Sequence, residues 1–127
     1  MPSPLDTRDK ILNWSGQLAL PPGAACVTGG FDPLTAAHVD HLERIASVNP
    51  VGLTVIITDP VDAILPSLAR AQLVAGLRSV HRVILAGDHL EEICAQVPDG
   101  ALHRKEVVEE AIRQDLVRHV HNRHNGA

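Results

Sequence analysis

Gly29, Gly30, Thr35 and His38 fall within one short stretch, Val27-Thr28-Gly29-Gly30-Phe31-Asp32-Pro33-Leu34-Thr35-Ala36-Ala37-His38. These residue types in this order suit phosphate binding. A glycine pair lets the backbone approach a ligand where a side chain would block it. A hydroxyl at a helix start satisfies backbone donors, and the helix N-terminus adds free N–H groups and a positive dipole end. His38 lies one turn into that helix, so a phosphate there would meet backbone donors, a hydroxyl and an imidazole together. His38 also has a plainer reading, as a helix-start histidine bonded to a neighbouring carbonyl or to water. Asp32 either braces the glycine turn or lines the site.

The elements that must place these residues are readable on either side. Ala24-Ala25-Cys26-Val27 is a short apolar run of the kind found in a buried parallel strand. Pro33 cannot continue a strand and biases Asp32 to extended geometry. Thr35 stands at the N-cap position of a helix carrying Val39, Leu42, Ile45 and Ala46.

On these residues the chain resembles the nucleotidyltransferase superfamily that includes cytidylyltransferases, phosphopantetheine adenylyltransferases and heptose-phosphate adenylyltransferases. Gly29-Gly30-Phe31-Asp32 is similar to that family's Gly-x-Phe-Asp turn, and Thr35-Ala36-Ala37-His38 to its Thr-x-Gly-His motif, with Ala37 in place of the glycine. Residues 70–84 resemble the helix and strand before the family's second half, with His81 where an acid is usual. The resemblance covers roughly residues 24–86. It implies a Rossmann-like three-layer α/β sandwich, with a small parallel sheet and helices on both faces. It also implies transfer of AMP or CMP from a nucleoside triphosphate, ATP or CTP brought with Mg2+, to a small phosphorylated acceptor. His38 and Thr35 would be the catalytic residues, and Gly29, Gly30, Phe31 and Asp32 would bind the nucleotide. The family's second signature, an Ile-Ser-Ser-Thr-x-x-Arg-like helix start, has no match: at that place the chain reads Asp99-Gly100-Ala101-Leu102-His103-Arg104-Lys105-Glu106. Lys10 and Lys105 are the only lysines, and the loop after the second strand, Asp59-Pro60-Val61-Asp62, is acidic. These departures support the alternative of a non-catalytic nucleotide-binding or assembly module.

Composition narrows the partners. The chain has 127 residues, 45% of them apolar and 20% charged, which suits one globular domain over 1–127. Phe31 and Trp14 are its only aromatics, too few for a platform on which single-stranded bases stack. A net charge of −4 without a basic tract argues against duplex nucleic acid. No run approaches the ~20 apolar residues of a membrane span, and no signal-peptide pattern opens the chain. Cys26 and Cys94 read as small buried hydrophobes in a reducing compartment, so the cytoplasm is expected.

Taken in order, residues 1–23 predict a leading helix capped by Asp6 or Thr7, carrying Ile11, Leu12, Trp14 and Leu18, and stopped at Pro21-Pro22-Gly23. That apolar helix and the family's habit of pairing suggest a homo-oligomer, in the simplest case a homodimer. Strands are expected at 53–58 and 83–86 and a brief one at 101–103. Helices are expected from a Ser67 cap through Val80, over 91–97 and over 105–121. Asp59, at the carboxyl end of its strand, either meets a ribose, a magnesium ion or a co-substrate, or simply opens a turn. His119, His121 and His124 at the C-terminus have a metal reading, but the first two point to different helix faces and a solvated tail is favoured.

Overall fold

A computed structural model describes residues 6–104. Five strands form one wholly parallel sheet: β1 (Ile11–Asn13), β2 (Ala25–Gly29), β3 (Leu53–Ile57), β4 (Arg82–Leu85) and β5 (Leu102–Arg104), in the order β1-β4-β3-β2-β5. Helix α1 (Ala36–Ser47) joins β2 to β3, α2 (Ser67–Ala75) joins β3 to β4, and α3 (Leu90–Ala95) joins β4 to β5. This is the expected Rossmann-like α/β architecture. No helix among the described residues is long and apolar enough to cross a membrane.

Alternation along the strands sorts the core into two faces. Ala25, Val27, Val55, Ile57 and Val83 pack with Leu42 and Ile45 of α1 and Ala71, Val74 and Ala75 of α2. Cys26, Ile56 and Ile84 face the other way, against Ile93 of α3, Val97, and Trp14, Leu18 and Leu20 of the leading segment. Every residue of β2 and β3 is buried, as a parallel strand covered on both faces requires.

The leading segment departs from expectation. Instead of a helix over residues 6–18, a single 3-10 turn (Thr7–Lys10) leads straight into β1. The Asp6 carboxylate does accept the Arg8 N–H at 3.1 Å, so the cap forms and the helix does not follow. A competing partner explains this: β4 has an open outer edge, and Ile11, Leu12 and Asn13 lie in register with Val83, Ile84 and Leu85. The Lys10 ammonium then reaches the Leu77 carbonyl at 3.1 Å, just past the C-terminus of α2, where a cation is favoured. Beyond β1, the Gln96 side chain accepts the Leu18 N–H and donates to the Gly16 carbonyl, holding the segment on the sheet.

Helix α2 also starts differently. Pro66 is its N-cap, no side chain caps it, and Ser67 is already helical. Its buried stripe is Arg70, Ala71, Val74 and Ala75, while Leu68 and Leu73 are exposed. Two alanines let the helix approach the sheet closely, which turns the leucines outward. The helix expected over residues 105–121 and the three C-terminal histidines lie outside the described residues.

Candidate functional site

Chain order and sheet order part at β1, which lies beside β4, and again around β2. From β2 the chain moves through β3 to β4 on one side, and later returns to lay β5 on the other side of β2. The carboxyl end of β2 therefore sits at a topological switch point, where open α/β sheets leave a crevice for ligands. The glycine turn and the N-terminus of α1 occupy that end.

Local contacts fix the turn tightly. The Gly29 carbonyl accepts the Thr58 N–H at 3.0 Å, continuing the β2–β3 ladder by one rung. At Gly30 a methyl group would come within 3.2 Å of Pro60 Cγ, so the absence of a side chain lets the loop after β3 close on the turn. Phe31 has φ +50°, a left-handed conformation unusual for a bulky residue. Burial of its ring, 2% exposed, and a ring contact with His38 at 5.2 Å and 74° hold it there. Asp32 accepts two backbone N–H groups, from Ile64 at 2.5 Å and Leu65 at 2.8 Å. Of its two expected roles, bracing is the one this geometry displays.

Thr35 is the N-cap of α1, and His38 completes a capping box with it. The Thr35 backbone N–H donates to His38 Nδ1 at 3.0 Å, and the His38 N–H donates to Thr35 Oγ1 at 3.4 Å. A ring nitrogen that accepts an N–H carries no proton, which assigns the proton of the neutral ring to Nε2. The cap thus makes Nε2 a donor. Ala37 is exposed in the same first turn.

Arg70 was not among the expected site residues. Its side chain is 1% exposed and lies beneath the turn. Nε donates to the Leu65 carbonyl at 3.0 Å, Nη1 to the carbonyls of Gly30 (2.9 Å) and Thr58 (2.5 Å), and Nη2 to Asp59 Oδ1 at 2.9 Å. Asp59 therefore pairs with an internal cation, rather than merely opening a turn. One signal was present: Arg70 stands four residues before Val74 on the buried stripe. The acidic loop is correspondingly less repulsive to an anion than its sequence suggests, because Asp59 is paired with Arg70.

Arg104 and His103 lie in β5 rather than at a helix start. The Arg104 guanidinium forks onto Glu91, at 2.8 and 3.2 Å, and holds that carboxyl below its usual range. Both cysteines are buried, and burial pushes the Cys26 thiol up to about 12, with Cys94 adding to the shift. Among the described residues no group of three or more His, Cys, Asp or Glu could hold a metal ion. No protein-family model matches the chain and no curated protein matches it, so the functional reading rests on this turn and helix start.

Proposed function

We propose that the chain is a nucleotidyltransferase that binds ATP or CTP, with its magnesium ion, over the turn from Gly29 to His38. The observation that carries this reading is the Thr35–His38 capping box at the switch point of the sheet. It places an imidazole Nε2–H donor beside the N-terminus of α1. A phosphate oxygen of a small phosphorylated acceptor attacks the α-phosphorus of the triphosphate. The new P–O bond forms as the bond to the bridging oxygen breaks, and pyrophosphate leaves. His38 donates to a phosphate oxygen as charge builds, Thr35 orients His38, and backbone N–H groups of α1 face the phosphates. Gly29, Gly30 and Phe31 form the floor.

A second reading, a non-catalytic nucleotide-binding or assembly module, is favoured by one observation. Two arginines, Arg70 under the turn and Arg104 at the end of β5, are both engaged, the first by backbone carbonyls and the second by Glu91. We place the protein in the cytoplasm, in keeping with two cysteines that are buried as small apolar side chains. A homodimer keeps only the resemblance as support, because Trp14, Leu18 and Leu20 pack on this chain's own sheet.

Thermal shift with ATP, CTP, GTP and UTP plus magnesium tests the shared step. A nucleotide at a hundred times its Kd adds about 2.7 kcal/mol, which raises Tm by several degrees. Pyrophosphate release with sugar and polyol phosphates then separates the readings. Turnover that is lost in His38→Ala supports the enzyme, whereas binding without turnover supports the module.

A further inference from the structure

Arg70 is the one charged side chain among the described residues that is fully buried. A buried guanidinium is costly unless its donors are matched, and four hydrogen bonds engage its five N–H groups. Those acceptors are not supplied by the apolar side chains around it. They are the carbonyl of the glycine turn (Gly30), the carbonyl just past the end of β3 (Thr58), and the carbonyl and carboxylate of the loop that follows (Leu65, Asp59). The Asp32 carboxylate closes the same circuit from the turn side, through the N–H groups of Ile64 and Leu65. An aliphatic residue would serve the packing of α2 as well as its neighbours Ala71 and Val74 do. What only a forked cation supplies is a fixed distance between the turn and the loop after β3.

We propose that Arg70 is the positioning residue of the nucleotide site. It holds the Gly30–Phe31 turn in the conformation that presents Thr35, His38 and the α1 N-terminus to a phosphate. The proposal rests on the nucleotide reading given above and adds to it a residue that does not itself touch the ligand. Phe31 at φ +50° has the Gly30 carbonyl immediately before it, and that carbonyl is tied to Arg70. Lysine in place of Arg70 keeps the charge but cannot bridge three carbonyls and a carboxylate at once, so the turn loses its tether.

The test compares wild type with Arg70→Lys, using magnesium–ATP and magnesium–CTP as probes and measuring Kd well below the melting transition of each protein. A merely structural arginine changes Tm and leaves Kd of the folded protein unchanged. The proposal expects Kd to rise about tenfold or more, since small misplacements of a binding group cost that much. An Arg70→Lys protein that folds and binds within twofold of wild type overturns it. If Arg70→Lys does not fold, Asp59→Ala is decisive, because Asp59 is half exposed and its loss removes one of the four acceptors. Simple electrostatics predicts tighter phosphate binding once that negative charge is gone. Positioning predicts weaker binding, and equal or tighter binding overturns the proposal. Wild-type protein that binds no nucleotide overturns the nucleotide reading and this proposal together, whereas binding unchanged in the variants overturns this proposal alone.

Discussion

The backbone N–H of Thr35 donates to Nδ1 of His38 at 3.0 Å, so the residue proposed for catalysis is also half of a helix cap. That double duty has a consequence for mutagenesis. Alanine at position 38 removes the cap and the donor together, and any loss it causes mixes stability with chemistry.

Glutamine separates the two. Gln at the third helical position is a normal capping-box partner, so His38→Gln can still accept the Thr35 N–H. Its stability is expected within about 0.5 kcal/mol of wild type, while His38→Ala loses about 1 kcal/mol. Activity in His38→Gln is expected to fall about 100-fold or more, the usual cost of losing a donor to a developing anion. Urea melts and pyrophosphate release on the same samples check both halves. Full activity in His38→Gln would remove His38 from the mechanism.

His81 repeats the theme of an imidazole standing in for a backbone acceptor. Its Nδ1 accepts the Leu53 N–H at 3.1 Å, while its own N–H donates to the Leu53 carbonyl at 2.9 Å, extending the β3–β4 ladder. An aspartate at this position can accept the same N–H. His81→Asp is therefore expected to keep wild-type stability, and His81→Ala to lose about 1–2 kcal/mol by orphaning a buried donor. Chemical denaturation of the pair decides it, and equal stability of the two variants would show the bond to be dispensable.

Cys26 makes stability sensitive to alkali. Burial raises its pKa from 9.0 to about 12, so between those values the unfolded thiol ionises and the folded one does not. The contribution is complete below pH 9 and is lost as pH rises toward 12, at up to ~1.4 kcal/mol per pH unit. Urea midpoints at pH 8, 9.5 and 10.5 are expected to fall more steeply for wild type than for Cys26→Ala. Parallel profiles would mean that the thiol titrates normally in the fold.

How much of this the sequence carried depends on the range of the determining contacts. The glycine turn, the Thr35 cap and β3 were readable because neighbouring residues decide them: Gly-Gly before Phe-Asp-Pro, a hydroxyl before an apolar stripe, a β-branched run. Ile11–Asn13 was not, since its apolar residues fit a helix locally and become a strand only because β4, 72 positions along the chain, offers an edge. Arg70 was hidden for the same reason. An arginine in a helix reads as solvated until residues 30, 58, 59 and 65 are seen to converge on it. Ser67 lost the cap to Pro66 at a boundary where one residue decides the outcome.

Asp32 offers the cleanest measure of how firmly the loop after β3 is held to the turn. Both of its carboxylate oxygens accept backbone N–H groups, so Asp32→Asn must turn one NH2 group toward a donor and lose that bond. The expected cost is about 1–3 kcal/mol, because a donor is left unmatched instead of being removed. The damage should be local, since Arg70 still ties Gly30 to Thr58 and Leu65 from below. Amide hydrogen exchange in Asp32→Asn is expected to quicken at Ile64 and Leu65 and to stay at wild-type rates in β2 and β3. Exchange that quickens throughout the sheet would mean that Asp32 supports the fold as a whole. Unchanged exchange at both amides would mean that the loop is held without it, and would leave ligand binding as the reason for an acid at this turn.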